Sequence, residues 1–248
     1  MARRMAVVQT ARFAVALLCA LGVLGSKGAA VAAAAEACGP EGTIFMHPPG
    51  APHAHGVQAL VLVRDRTSSG TCADGDIIGG GTSIMGIGGS TSTEWLEIGW
   101  RVKLNLGAHT YVLFVEHGQN GQDDYNYEFA SGCAAQNTNT YFKVVFLAGT
   151  TWSTQYSCNG GGWTDKHHHV TGNTWGDAKG ETFRFGGSSM QETHDNLQYK
   201  TTADVWQPDW GGLPTCQQAL NYGAGWGISR ISASKYYTVP SSTSSYCG

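Results

Sequence analysis

Hydrophobic and polar residues alternate most regularly in residues 95–104. The even positions of this run are all apolar: Leu96, Ile98, Trp100, Val102 and Leu104. A period of two is the repeat of a β-strand, because successive side chains point to opposite faces. The pattern therefore predicts a strand that buries its even positions in a core and presents Glu97 on its other face.

Short β-like runs recur along the rest of the chain, and segments rich in Gly and Asn separate them. They comprise residues 57–64, 93–104, 110–117, 140–147, 151–156, 181–185, 196–206 and 227–231. Glycine-rich segments such as residues 79–81 are interpreted as turns. Many short strands with frequent turn signals predict an all-β domain, an antiparallel two-sheet β-sandwich.

Residues 104–110, Leu-Asn-Leu-Gly-Ala-His-Thr, connect the first of these strands to the next. A short connection that contains Gly is typical of a β-hairpin. The strand at residues 110–117 would then lie beside the strand that carries Glu97. We therefore expect Glu116 to share the face of Glu97.

Composition narrows the class of protein. Charged residues make up 13% of the chain, against about 25% in average chains. The formal net charge is only −3 at pH 7, so the charge indicates neither a nucleic-acid partner nor a membrane-surface partner. The 35 glycines and 8 tryptophans suit an extracellular all-β protein with many turns.

The N-terminal region has the pattern of a secretory signal peptide. Arg3 and Arg4 precede an apolar stretch at residues 13–24, and alanine-rich sequence follows. Residues 1–37 are therefore predicted to be a signal peptide, cleaved after Ala34 or Ala37, and residues 38–248 one mature domain. The apolar stretch is too short to be a good membrane anchor. We expect a secreted, extracellular protein with no membrane association after signal removal.

Six of the seven cysteines follow the predicted signal peptide. An even number of cysteines in a secreted chain indicates disulfides, here three of them. The sequence does not decide which cysteines pair. Pairing of neighbours is our working hypothesis: Cys38–Cys72, Cys133–Cys158 and Cys216–Cys247. None of the cysteine spacings fits a zinc site.

Several enzyme motifs are missing from the sequence, among them the Gly-x-Ser-x-Gly elbow, the His-Glu-x-x-His motif, the P-loop and the dinucleotide fingerprint. With the mature cysteines in disulfides, a thiol nucleophile is not expected. The consecutive residues His167, His168 and His169 suggest a metal, but consecutive strand residues alternate between faces and rarely meet at one ion. We interpret them as a solvated loop and expect no metal and no cofactor.

Glu181 is a second candidate carboxylate. It follows a glycine and begins a β-like run, residues 181–185, on the face of Phe183 and Phe185. An unpaired buried carboxylate is costly, so a Glu on an aromatic face indicates either a cleft or a solvated strand end. The residues alone leave both interpretations open.

Two segments resemble a known family. Glu97-Ile98-Gly99-Trp100-Arg101-Val102 resembles the Glu-Ala-Gly-Trp-Gln-Val stretch of the neprosin family of glutamic peptidases, whose Glu is catalytic. Trp175-Gly176-Asp177-Ala178-Lys179-Gly180-Glu181 is similar to the Trp-Gly-Gly-Glu region that carries the family's second catalytic Glu. Residues 188–191 and 196–199 are similar to elements that follow in that family, so ordered similarities span roughly half of the chain.

The resemblance implies a catalytic dyad of Glu97 and Glu181. Two neighbouring carboxyl groups share one proton, because both cannot ionise cheaply at short range. One would activate water as a general base, and the other would hydrogen-bond the substrate carbonyl, with most activity at acid pH. Which glutamate is the base stays open.

The same resemblance implies the substrate and its contacts. The substrate would be a polypeptide. The residues expected to contact it are Trp95, Trp175, Gln191 and Tyr199.

Two other functions fit an extracellular sandwich. One is a non-catalytic module that binds carbohydrate or a cell-surface ligand through exposed Trp side chains. The other is a glycoside hydrolase, whose two carboxyl groups would lie about 5–5.5 Å or 6.5–9.5 Å apart. The distance between Glu97 and Glu181 therefore separates these hypotheses. The sequence does not indicate an oligomeric state.

Overall fold

A computed structural model describes residues 41–67, 72–88, 94–119, 122–129, 132–185, 189–220 and 227–239. The predicted signal peptide, residues 1–37, lies outside these ranges. Within them, no helix has the length and apolar character needed to cross a membrane.

The described residues form fourteen β-strands. These are β1 (Glu41–His47), β2 (His53–Thr67), β3 (Ile77–Ile87), β4 (Glu94–Asn105), β5 (Ala108–Gln119), β6 (Gln122–Phe129), β7 (Asn139–Ala148), β8 (Thr151–Cys158), β9 (Thr164–Val170), β10 (Gly176–Phe185), β11 (Ser189–Thr201), β12 (Thr215–Leu220), β13 (Gly227–Ser232) and β14 (Lys235–Val239).

Strand pairing divides the fourteen strands into two antiparallel sheets. The first sheet has the order β6-β5-β4-β3-β10-β1-β12. The second sheet has the order β9-β8-β7-β2-β11-β14-β13. The sheets join where β10 pairs with the start of β2, at Gly176–Ala54 and Asp177–His53. The predicted all-β, two-sheet class is confirmed.

The main core lies between the two sheets. Four of the five apolar residues at the even positions of β4 are fully buried in it, Leu96, Ile98, Trp100 and Val102, and the fifth, Leu104, is partly buried near the end of the strand. The four fully buried residues belong to the same cluster as buried residues of the second sheet such as Val57 and Val144. The hydroxyl of Ser83 on β3 also donates a hydrogen bond across the core to the carbonyl of Phe142 on β7, at 3.2 Å. The alternation in the sequence therefore identified the buried face of β4.

Strands β4 and β5 form the predicted hairpin. Its two connecting residues, Leu106 and Gly107, have positive φ angles of 49° and 78°. Positive φ at both positions is the requirement of the tight turn that suits the right-handed twist of paired strands. The resulting register places Glu116 directly opposite Glu97, so the two glutamates share one face, as expected.

The interpretation of residues 79–81 as a turn is wrong, because these glycines lie inside β3. They are needed for close approach. A β-carbon on Gly80 would overlap the carbonyl oxygen of Trp100 and the ring of Phe183. A β-carbon on Gly81 would overlap the carboxyl group of Glu192, which reaches β3 from the second sheet.

The strand predicted at residues 196–206 is displaced. β11 spans Ser189–Thr201, with an irregular register between Asp195 and Gln198. The chain then turns at Asp204, whose φ of 64° is left-handed. The alternation beyond residue 201 belongs to this turn and not to a strand.

One predicted disulfide is present in full. Cys133 and Cys158 are bonded, with Cα atoms 5.4 Å apart, and tie the segment before β7 to the end of β8. Cys72 and Cys216 are disulfide-bonded as well. Their predicted partners, Cys38 and Cys247, lie outside the described residues.

We expect Gly81→Ala to destabilise the fold. The new methyl group would overlap the Glu192 carboxyl group, and overpacking of a filled interior typically costs about 1–3 kcal/mol. Urea denaturation at fixed pH measures the loss. Gly162→Ala is the control, since a β-carbon there meets nothing within 4 Å and should change stability by no more than about 0.5 kcal/mol. Equal stability of the two variants would contradict the packing argument.

Candidate active site

Glu97 and Glu181 lie on one face of the first sheet. Glu97 is on β4 and Glu181 is on β10, and β3 runs between these strands. Because Leu96 and Ile98 point into the core, Glu97 points to the opposite face of the sheet. Glu181 is the register partner of Thr82 on β3, and Thr82 is in turn opposite Gly99. These pairings place Glu181 on the face of Glu97.

The two carboxyl groups are in contact. They hydrogen-bond each other, and the hydroxyl oxygen of Thr82 lies 3.4 Å from an oxygen of each. A hydroxyl group has one hydrogen, so Thr82 donates to one carboxyl group at a time. Both glutamates are buried, with 6% of Glu97 and 8% of Glu181 exposed. The structure therefore brings together two glutamates that are 84 positions apart in the sequence.

The position of Thr82 depends on Gly99. A β-carbon on Gly99 would overlap the α-carbon and the methyl group of Thr82. The glycine in the Glu-Ile-Gly-Trp segment thus gives β3 the space to hold Thr82 between the two glutamates.

The environment of Glu97 favours its protonated form. Burial is the largest cause that raises the pKa of Glu97 well above its usual range, and the charge and hydrogen bond of Glu181 add to it. The guanidinium group of Arg101 opposes this shift but does not cancel it. The pair is therefore built to hold one proton between two carboxyl groups.

Glu116 extends this acidic surface. Burial raises its pKa from the ordinary 4.5 to about 9, and the charges of Glu97 and Asp123 contribute to the shift. The side-chain amide of Asn126 donates a hydrogen bond to Glu116 at 2.6 Å. Glu116 thus stays protonated over a pH range in which an exposed glutamate is ionised.

Arg101 is the buried cation beside these carboxyl groups. Its Nη2 donates to the amide oxygen of Asn126 at 2.6 Å, and its Nε lies 3.4 Å from Glu128. The guanidinium carbon also lies 3.8 Å from the centre of the Phe114 ring. Burial is the main cause that lowers the pKa of Arg101, and neighbouring carboxylates, Glu116 first, oppose the shift.

A second polar group lies behind the dyad, between the sheets. Glu192 and His194 on β11 are fully buried and in contact, and the ring of Tyr236 stacks on His194 with centroids 4.5 Å apart. A β-carbon on Gly180, next to Glu181, would overlap the Tyr236 hydroxyl. Burial and the charges of Glu192 and Glu181 raise the pKa of Tyr236, so it stays neutral.

Sequence reasoning missed this buried group. It lies in residues 189–195 and 235–239, which had no strand prediction. The only indication in the sequence was that Glu192 and His194 are two residues apart, so that they share one face of a strand. This spacing does not distinguish a buried face from an exposed one, and polar residues are usually exposed.

The predicted substrate contacts are only partly near the dyad. Trp95 is two residues from Glu97 on the same face of β4, half-buried, and it packs over Gly118. Trp175 directly precedes β10 and stacks on His53, with ring centroids 3.8 Å apart. Gln191 and Tyr199 lie on β11 in the second sheet. Tyr199 packs against the main core, and the side chain of Gln191 is outside the described residues.

The three consecutive histidines do not form a loop. They lie in β9, and their alternation places His167 and His169 on one side of the strand, while His168 is exposed on the other. His117 on β5 joins them. One ring nitrogen from each of His117, His167 and His169 lies within 4.8 Å of the others. These three are the residues in the described part of the chain whose arrangement suits a metal ion.

Comparison with solved structures identifies the fold. Two crystal structures of scytalido-glutamic peptidase, one with a peptide-based transition-state analogue and one with a transition-state analogue inhibitor, match the chain with TM-scores of 0.51 and 0.54. In each case 14% of residues are identical, and the match covers 82% of this chain and 98% of the peptidase. The chain therefore has a fold of the glutamic-peptidase type. No protein-family model and no curated protein matches the sequence.

The raised pKa of Glu116 predicts that stability falls as the pH rises. Below about pH 4.5 the glutamate is protonated in both the folded and the unfolded chain. Between that pH and about 9 the unfolded chain loses the proton and the folded chain keeps it, which favours unfolding by up to about 1.4 kcal/mol per pH unit. Glu97 acts in the same direction.

Glu116→Gln removes this titration and should make stability less dependent on pH. Denaturant titrations at several values between about pH 5 and 8 measure the slope. A wild-type protein whose stability rises over this range would contradict the assignment.

Proposed function

We propose that the chain is a secreted glutamic endopeptidase that hydrolyses polypeptides at acid pH with Glu97 and Glu181. The observation that carries this proposal is the direct hydrogen bond between two buried carboxyl groups, with the Thr82 hydroxyl beside both. A buried carboxyl pair is costly unless it holds a proton. Strongly perturbed carboxyl groups of this kind concentrate at sites of proton-transfer chemistry.

The two glutamates have different roles in this proposal. Glu97 is assigned the shared proton in this scheme, in keeping with the burial and the neighbouring charge that raise its pKa. Glu181 is then the ionised partner. It accepts a proton from water as the water oxygen attacks the carbonyl carbon of the substrate, while Glu97 donates a hydrogen bond to the carbonyl oxygen.

In the second half of the reaction, Glu181 gives up the proton that it took from water. The tetrahedral intermediate collapses as its carbon–nitrogen bond breaks, and the leaving nitrogen takes the proton that Glu181 accepted. The products are a carboxylic acid and an amine, and the pair ends with one proton, as it began. Water is the only co-reactant, so this reaction needs no group beyond those of the chain and its substrate.

Two further observations support a peptidase. The fold is of the glutamic-peptidase type, and the segments around Glu97 and Glu181 resemble the two catalytic regions of the neprosin family. The signal-like N-terminus supports secretion, and Trp95 is the predicted substrate contact that lies closest along the chain to Glu97.

The contact between the carboxyl groups argues against a glycoside hydrolase. Such enzymes separate their carboxyl groups by at least about 5 Å, so that a sugar carbon or a water fits between them. Hydrogen-bonded carboxyl groups leave no such gap. A non-catalytic binding module gives no reason for burying two acids side by side.

We expect Glu181→Gln to lower kcat for peptide hydrolysis by about 10²–10⁴-fold, since general-base catalysis typically contributes that much. Glu97→Gln should lower kcat less, because an amide still donates a hydrogen bond to the carbonyl oxygen. Cleavage of an unfolded protein substrate measures both effects. Asp74→Asn, which changes an exposed carboxylate in the turn before β3, is the control and should cleave at the wild-type rate. Unchanged cleavage by Glu181→Gln would refute the proposal, and a larger loss in Glu97→Gln would reverse the roles.

The rate should depend on pH as expected for a pair with one proton. Loss of that proton ends activity on the alkaline side, and addition of a second proton ends it on the acid side. The alkaline limb should lie above the ordinary pKa of a glutamate, since the pKa of Glu97 is raised. Initial rates between about pH 2 and 8 measure the profile. A rate that keeps rising to the alkaline end would exclude the dyad.

A further inference from the structure

His117, His167 and His169 lie between β5, the second strand from one edge of the first sheet, and β9, the edge strand of the second sheet. β9 is the edge strand of the second sheet, and His117 projects from β5 of the first sheet toward it. On β5 the neighbouring Glu116 points to the face of the dyad, so His117 points to the opposite face. This imidazole cluster is therefore separate from the proposed catalytic site.

We propose that this imidazole cluster binds a divalent transition-metal ion, with Zn²⁺ as the best match, and that the ion ties the two sheets together. Imidazole nitrogen is a preferred ligand of such ions, and three histidines form a complete set of protein ligands for zinc with a fourth position open to water.

The ring nitrogens of the three histidines are somewhat farther apart than the ligand nitrogens of a zinc ion. Their ligand nitrogens lie within 4.8 Å of one another. Tetrahedral zinc, with bonds of about 2.0–2.1 Å, places its ligand nitrogens about 3.3 Å apart. All three side chains are partly exposed, and the outer torsion of a histidine has a broad minimum. Rotation of the rings can therefore close the remaining distance.

His167 supplies an independent reason for a ligand. Its Nε2 atom is buried, and it has no hydrogen-bond partner among the described residues. Tyr125 stacks on the ring with centroids 4.2 Å apart. A buried ring nitrogen without a partner is costly, and a metal ion would satisfy it.

Glu94 completes the arrangement. Its carboxyl oxygen lies 3.0 Å from Nε2 of His169. Histidines that bind metals commonly donate their other ring N–H to a carboxylate, which fixes the ring and strengthens the ligand. Glu94 would hold this role if His169 binds through Nδ1. It would become a further ligand if His169 binds through Nε2.

Zn²⁺ binding to the untagged mature protein at pH 7 tests the site, measured by isothermal titration calorimetry. We expect one ion per chain. His167→Ala and His169→Ala should each weaken binding by at least about 100-fold, and Glu94→Gln by about 10–100-fold. His168→Ala is the matched control, because it removes a histidine from the same strand but from the opposite side, and should bind as the wild type does.

Histidine-ring NMR of the wild-type protein tests the same ligands without any variant. Addition of Zn²⁺ should shift the ring signals of His117, His167 and His169 and leave those of His168 unchanged. Zn²⁺ should also raise the Tm of the wild type and of His168→Ala. Absence of binding, or equal losses in His168→Ala and His169→Ala, would overturn the proposal, as would shifts confined to His168. None of these readouts depends on peptidase activity.

Discussion

The small side chains of β3 are the packing constraint on which the site depends. Gly80 and Gly81 leave space for the Phe183 ring on one face and for the Glu192 carboxyl group on the other. Thr82 follows them and reaches both Glu97 and Glu181. A larger residue at these positions would separate the strands that carry the two glutamates, because protein interiors have no spare volume. The same glycines therefore serve the core and the proposed chemistry.

Electrostatics adds a second constraint, which is the cost of buried negative charge. Glu97 and Glu116 are register partners on neighbouring strands, and Glu181 hydrogen-bonds Glu97. Arg101 is the one buried cation among them in the described part of the chain. One cation cannot neutralise three carboxylates. Some of these carboxyl groups must therefore be protonated. These buried carboxyl groups therefore make the folded state more stable in acid.

Patterns of neighbouring residues correctly predicted strand β4 and the hairpin that follows it. The alternation in β4 identified its buried face, and the connection after Leu104 identified the hairpin that places Glu116 beside Glu97. The predictions were wrong for residues whose role depends on a contact with a distant part of the chain. The glycines of β3 were interpreted as turns, since nothing near them in the sequence indicates the Glu192 carboxyl group. The histidines of β9 were interpreted as a loop, because their partner His117 lies on another sheet.

The resemblance to the neprosin family implied Glu181 as the partner of Glu97. The residue pattern by itself determined that the chain is an all-β sandwich and that Glu97 points away from the core. Periodicity carries this information, because strand geometry fixes which side chains share a face. Only the tertiary structure decided that the two glutamates touch, that Thr82 lies between them, and that Glu192 and His194 are buried behind them. These relations depend on the pairing order of strands far apart in the chain, which local residue patterns do not encode.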